Sequence, residues 1–173
     1  MAKRILITGA SSGIGRETAL QLAKNGHSLV LAARREELLL SLAAECLHLG
    51  AIGAVPVPFD ITKEHDIRRA AMALGELPDG LEPCLINNAG YAEFGPTQEA
   101  SPAGMVQQIS VNLTGAMLLT QAVLPLMIGG GRIINVLSIA ADFAFSGAAA
   151  YSAAKAGLRQ FGKCIQEIGR AHV

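Results

Sequence analysis

Tyr151 and Lys155 stand four positions apart in Tyr151-Ser152-Ala153-Ala154-Lys155, and Ser138 lies thirteen residues before the tyrosine. At that spacing a phenol and an ammonium share one helix face. A charged Lys155 favours the phenolate and lets Tyr151 exchange a proton near neutrality, the more so with an oxidised nicotinamide beside the pair. The dinucleotide comes into consideration because a Gly-rich turn, Thr8-Gly-Ala-Ser-Ser-Gly-Ile-Gly15, opens the chain.

Gly9, Gly13 and Gly15, with Ser11, Ser12 and Ile14 between them, follow an apolar run and precede a helical pattern. That placement leaves backbone N–H groups and a positive helix end free to face a pyrophosphate, although a tight turn alone would read the same way. NAD sites often carry an acidic residue at the end of the second strand, for the ribose hydroxyls, and this chain has Ala33-Arg34-Arg35 there. Arg34 favours a 2′-phosphate with Ser11 as second donor; the alternative is a solvated charge capping the sheet. Asn87-Asn88-Ala89-Gly90 places small residues where a cofactor would lie against backbone, or simply makes a turn. Asn112 interrupts a long helical stretch as a poor helix former, either an exposed polar position or a kink. Ser138 ends a strand, as an available hydroxyl or a loop cap, and Tyr91, Glu93 and Asp142 are pocket wall or loop surface.

The elements that must position these residues alternate. Strands are predicted at Arg4–Thr8, Ser28–Ala33, Ala51–Phe59, Cys84–Asn88 and Arg132–Ser138. Helices are predicted from Ile14 to Asn25-Gly26, and over about Glu36–Leu49, Lys63–Leu74, Pro102–Met127 and Ala148–Ile168. Alternation with near-continuous apolar strands predicts an α/β fold, a Rossmann-like doubly wound parallel sheet in three layers with strand order 3-2-1-4-5. Pro56 and Pro58 suit the third strand to an edge. Ligands bind such sheets beyond the strands' carboxyl ends where the order reverses, which is where Gly9, Asn88 and Ser138 fall.

Composition narrows the function classes. Half of the 173 residues are apolar and nothing reads as a linker or repeat, so one domain over residues 1–173 is expected. Fourteen basic and fourteen acidic side chains balance, which argues against nucleic acid. Cys46, Cys84 and Cys164 lack metal-ligand spacing and read as small buried hydrophobes in a reducing compartment; His27, His48, His65 and His172 share no partner pattern, so no metal is expected. No stretch reads as the ~18 apolar residues of a membrane span, and a cytoplasmic protein without a membrane partner is the expectation.

Thr8-Gly-x-x-x-Gly-x-Gly15, Asn87-Asn-Ala-Gly90, Asn112, Ser138 and Tyr151-x-x-x-Lys155 together resemble, in order and spacing, the motifs of the short-chain dehydrogenase/reductase family. The resemblance covers the whole chain. It implies a Rossmann fold and NAD(P)(H)-dependent interconversion of a small-molecule carbonyl and an alcohol, with Tyr151 as general acid/base. Ser138 would orient the substrate oxygen, Lys155 would bind the nicotinamide ribose, and Asn112 would hold a water linking Lys155 to solvent. Gly9, Ser11, Ser12, Gly13, Ile14 and Gly15, then Asp60 and Ile61 at the adenine, then Asn88, Ala89 and Gly90, complete the implied cofactor site. Arg34 resembles the NADP(H)-preferring branch, with NAD(H) the weaker ligand.

Leu137 and Ala141 stand where many members have serine and glycine. Members usually continue past the Tyr–Lys helix into a sixth strand, a Pro-Gly segment and a substrate loop, and Gly169-Arg-Ala-His-Val is expected to enter that strand. A chain lacking the family's last strands is expected to expose its fifth strand, to lose one wall of the nicotinamide site and to turn over slowly. A homo-oligomer through the helices around Asn112 and Tyr151 is implied. Two readings compete with the enzyme: a dinucleotide-binding module without turnover, and a self-associating remnant.

Overall fold

The computed structural model describes residues 1–170, the last four as helix backbone. Five strands, β1 (Lys3–Thr8), β2 (Ser28–Ala33), β3 (Gly53–Pro58), β4 (Glu82–Asn87) and β5 (Arg132–Asn135), form one sheet in the order β3-β2-β1-β4-β5. Every pairing is parallel. The helices are α1 (Gly13–Lys24), α2 (Glu36–His48), α3 (Glu64–Gly75), α4 (Pro102–Ile109), α5 (Gly115–Val123) and α6 (Ala149–Arg170). This is the expected Rossmann-like architecture.

Side chains of a strand alternate between faces, and the strands use both. Ile5, Ile7, Leu29, Leu31, Cys84 and Ile86 pack on one side with Ala19 and Ala23 of α1 and Leu39 and Leu42 of α2. Leu6, Val30, Ala32 and Leu85 pack on the other with Ile67 and Leu74 of α3 and Leu119 and Val123 of α5. Two covered faces explain why these strands carry no polar alternation. β3 lies at the edge, where its prolines lack no ladder donor that the sheet needs.

Several boundaries differ from the sequence expectation. The stretch 102–127 is not one helix: α4 and α5 flank a π-helical turn, Ser110–Thr114, and a 3₁₀ turn, Leu124–Met127, follows. The Gly115 N–H reaches back to Ser110 O, which marks the widened turn. By length and composition this 26-residue stretch is apolar enough to cross a membrane, contrary to the sequence reading. Its Gly115, Ala116, Leu119, Thr120 and Val123 form the buried face of α5, laid on the sheet. β5 ends at Asn135, three residues before Ser138, although Val136 N–H still donates to Asn87 O. Helix α6 runs through Gly169 and Arg170, so those residues do not turn toward a strand; Ala171, His172 and Val173 lie outside the described residues. Cys46 and Cys84 are buried, and burial pushes the Cys46 thiol up to about 11, but Cys164 is exposed on α6.

At the amino end of the sheet Lys3 N–H donates to His27 Nδ1 at 3.0 Å. Burial, then the Lys3 charge, lowers the His27 pKa below its ordinary value of 6.5. The unfolded chain therefore binds the proton first as pH falls, so the stability that neutral His27 contributes is present above about pH 6.5 and is lost as pH drops through the folded-state value. Urea unfolding between about pH 7.5 and pH 5 should show a decline that His27→Gln reduces; equal slopes in both proteins would remove His27 from the account.

Candidate functional site

At the carboxyl ends of β1 and β4 the strand order reverses and the chain must leave the sheet to opposite faces. Thr8, fully buried, bridges the two ends: its Oγ1 accepts from Asn88 N at 3.0 Å and Ala89 N at 2.9 Å and donates to Ile86 O at 3.3 Å. Asn88 Nδ2 donates to Thr8 O at 2.9 Å and Gly9 O at 3.4 Å. Gly9 turns with a φ of +67°, and a Cβ there would come within 2.9 Å of Asn88 Nδ2. A Cβ on Gly15 would overlap Gly9 O and lie 2.5 Å from the same Asn88 nitrogen. Gly13 also has positive φ, +55°, but faces open space.

A cavity of about 540 Å³ opens beside this junction. Gly9, Ser11, Ser12 and Ile14 line it from the Gly-rich turn, while Gly13 and Gly15 do not. Arg34 and Arg35 line it beyond β2, Asp60 and Ile61 beyond β3, and Asn88, Ala89 and Gly90 beyond β4. Asn112, Tyr151 and Lys155 complete the wall from the helical side. Ser138 is not in the lining; its Oγ accepts from Ala140 N at 3.1 Å and caps the 3₁₀ turn Ile139–Ala141. That bond uses an oxygen lone pair and leaves the hydroxyl proton free.

Sequence reasoning singled out Arg34 and passed over Arg35. Arg35 Nη2 donates to Ser11 Oγ at 3.0 Å and Ser12 Oγ at 2.8 Å, which ties the end of β2 to the Gly-rich turn. Two adjacent arginines facing a Ser-Ser turn were the available signal. Burial alone would raise the Asp60 pKa, but hydrogen bonds from Thr62 N and Oγ1, with the Lys63 and Arg34 charges, hold the carboxyl below its ordinary value. Asp60 is therefore an anionic acceptor beside a cationic rim.

On the opposite wall Lys155 is 4% exposed, and its Nζ donates to Val136 O at 2.9 Å and lies 5.7 Å from the Tyr151 ring centre. Burial holds its ammonium below the ordinary lysine range. Asn112, inside the π-helical turn, is buried, so the kink reading holds and the exposed one does not. Its Nδ2 donates to Tyr91 O at 2.7 Å and Gln108 O at 3.0 Å, and its buried Oδ1 has no partner. A Cβ on Gly90 would lie 2.5 Å from that Oδ1 and 3.4 Å from Lys155 Nζ, so only glycine leaves the two groups facing each other across this spot. The Tyr91 and Val136 carbonyls are further contributors that side-chain patterns do not reveal.

A parallel sheet in the order β3-β2-β1-β4-β5 with a Gly-lined cleft where the order reverses is a Rossmann-type fold, and the model of the short chain dehydrogenase family matches residues 3–172. The chain belongs to the short-chain dehydrogenase family, whose members are oxidoreductases. It is 33% identical over 168 residues to an uncharacterised oxidoreductase, YbbO, of Escherichia coli K12, covering 96% of this chain and 60% of the relative. It is 38% identical over 165 residues to serine 3-dehydrogenase of Agrobacterium fabrum, covering 93% and 64%. The structure of a metagenomic short-chain oxidoreductase in complex with NADP superposes with a TM-score of 0.89 at 33% identity, covering 99% of this chain and 77% of that one. The chain thus spans less than two thirds of the length of these two curated relatives.

The glycine contacts separate two effects that motif matching merges. Gly15→Ala should destabilise the unliganded protein by about 1–3 kcal/mol, because the atoms in the way are backbone and a doubly bonded amide. Gly13→Asn should cost less, about 1 kcal/mol or below, since nothing lies within 4 Å and only the strain of positive φ, which asparagine bears better than most side chains, remains. Denaturant unfolding of both variants decides it, and equal losses would contradict the contact argument.

Proposed function

We propose that this chain carries the cofactor site and the proton-transfer residues of an NADP(H)-dependent oxidoreductase interconverting a carbonyl and an alcohol. The observation that carries the reading is that one cavity is lined by the Gly-rich turn, Arg34, Arg35, Asn88–Gly90, Asn112, Tyr151 and Lys155 together. The chain's residues fit a dinucleotide: a backbone cradle that Cβ atoms would fill at Gly9 and Gly90, and a cationic rim with serine hydroxyls. The bound cofactor would supply or accept the hydride. Gly9, Ser11, Ser12 and Ile14 would hold its pyrophosphate, with Gly13 and Gly15 shaping the turn; Asp60 and Ile61 would contact its adenine, and Asn88, Ala89 and Gly90 its backbone-facing side.

Arg34 and Arg35 would take the 2′-phosphate, and Ala33 offers no carboxylate to the ribose diol of NAD(H). The NADP-bound structural neighbour supports that preference. Tyr151 would give its phenolic proton to the substrate oxygen in reduction and receive it back in oxidation. Lys155, charged, would stabilise the phenolate and hydrogen-bond the cofactor ribose. The unpartnered Oδ1 of Asn112 would hold a water through which Lys155 exchanges protons with solvent. Ser138 would orient the substrate oxygen by donating a hydrogen bond from its free hydroxyl, keeping its own proton. The proposal extends to a homo-oligomer through the exposed apolar residues Val106, Met117 and Leu118 around Asn112, and to a reducing, cytoplasmic setting that suits the free thiols.

One observation favours the second reading, a dinucleotide-binding module without turnover: Ser138 lies outside the cavity lining. Cofactor titration and turnover separate the two. Arg34→Ala should cost NADPH affinity about tenfold or more, from a charge-assisted bond of roughly 1.5–3 kcal/mol, and leave NADH nearly unchanged; Arg35→Ala should add to the loss. Equal losses for both cofactors would mean that the arginines support the turn only. Tyr151→Phe should lower carbonyl reduction about a hundredfold or more with cofactor affinity close to wild type. NADPH binding without carbonyl turnover by the wild type would select the binding module.

A further inference from the structure

Gln108 is a buried polar residue that the proposed chemistry does not use. It closes the last turn of α4 at 4% exposure and uses two acceptors. Its Oε1 accepts from Glu93 N at 3.1 Å, and its main-chain O accepts from Asn112 Nδ2 at 3.0 Å. The segment from Asn88 to Phe94 has no regular secondary structure. Within it the Glu93 bond lies two residues from Tyr91, whose carbonyl takes the other Asn112 Nδ2 proton at 2.7 Å.

An amide has two donor hydrogens and one acceptor oxygen in a plane. With both hydrogens engaged, the Asn112 plane is fixed and Oδ1 points away from the two carbonyls, toward the spot beside Gly90 that it shares with Lys155. Freeing the Tyr91 carbonyl leaves one anchor and lets the amide rotate. Gln108 also stands between two cavities: Tyr91, Ala92, Gln107 and Tyr151 line the larger, while Glu93, Gln108 and Ala150 line one of about 290 Å³.

We infer that Gln108 is a positioning residue: by holding Glu93 N–H it fixes the Tyr91 carbonyl, and so aims Asn112 Oδ1 at Lys155. The functional weight of this rests on the reading of Asn112, Tyr151 and Lys155 as the proton-handling residues.

Gln108→Met keeps length and burial and deletes the side-chain acceptor, whereas Gln108→Glu keeps an acceptor oxygen. Hydrogen exchange of the Glu93 backbone amide and the Asn112 side-chain amide, followed by NMR, should accelerate about tenfold in Gln108→Met, the equivalent of one lost hydrogen bond, and remain near wild type in Gln108→Glu. Where the wild type reduces a carbonyl with NADPH, Gln108→Met should lower kcat about tenfold and leave KM within about twofold, since small misplacements at a reacting centre act on rate. Unchanged Asn112 exchange in Gln108→Met, unchanged kcat, or a Gln108→Glu protein as impaired as Gln108→Met overturns the inference. Should Gln108→Met fail to fold, Glu93→Pro deletes the donor of the same bond and carries the same expectations. Asn112→Ala is the control for the underlying reading: if it leaves turnover intact, or if the wild type has none, that reading falls and the exchange data alone decide the role of Gln108.

Discussion

Where β1 and β4 part company the ladder ends, and the backbone groups at their tips have no strand to bond to. Asn88 N, Ala89 N and Thr8 O would be left unpaired, each at about 1–3 kcal/mol if buried. One threonine hydroxyl and one asparagine amide answer all three. The rest of the site follows from that crossing. It fixes how far apart the strand ends stand, and it places Asn88 Nδ2 where neither Gly9 nor Gly15 can carry a side chain. The glycine spacing is thus a consequence of the Thr8–Asn88 bridge as much as of any ligand. The two shape one concave surface with backbone on its floor, the geometry in which a pyrophosphate finds N–H groups.

The far wall is built on the opposite logic, deficit instead of satisfaction. The π-helical turn at Ser110–Thr114 widens the helix at Asn112 and buries its amide with both hydrogens engaged and its oxygen idle. Lys155 is buried with one carbonyl partner at Val136, and burial works against its charge. Each group alone is a cost to the fold. Facing each other across Gly90 they form a paired deficit that a hydroxyl or a water arriving between them would relieve. Such under-satisfied polar pairs persist where function requires them, and π-helical turns concentrate at the same kind of place.

Sequence reading recovered what local pattern determines. Strand order, both covered faces and the edge position of β3 follow from apolar runs and two prolines, because period and donor chemistry are properties of the residues themselves. Asn112 was legible as an anomaly but not as buried or exposed, since that depends on which face of a broken helix meets Tyr91 and Gln108. Arg35 was passed over because its partners, Ser11 and Ser12, are 24 and 23 residues away and meet it only through the β1–β2 pairing. The carbonyls of Tyr91 and Val136 carry no side-chain signature at all. Cys164 misled because burial was inferred from residue type, while its place on α6 leaves it exposed.

The two halves of the proposed site are not held equally. The cradle stands on β1, β2 and β4, whose side chains are almost wholly buried. β5 is half exposed, and beyond it Leu137, Ile139 and Phe143 face outward. Ser138 sits on this less buried side, and the turn that follows it is tied to α6 by the Asp142–Arg159 ion pair, whose side chains are 48% and 36% exposed. A pair that open to solvent contributes at most about 1 kcal/mol, far less than the strand core. Tyr151 and Lys155 ride on the part of α6 that Ala154 and Leu158 bury, so they share the rigidity of the core while Ser138 does not. In the proposed site the cradle and the Tyr151–Lys155 pair therefore draw on the same core, whereas Ser138 does not, and a perturbation at the β5 side acts on the placement of Ser138 before it reaches either.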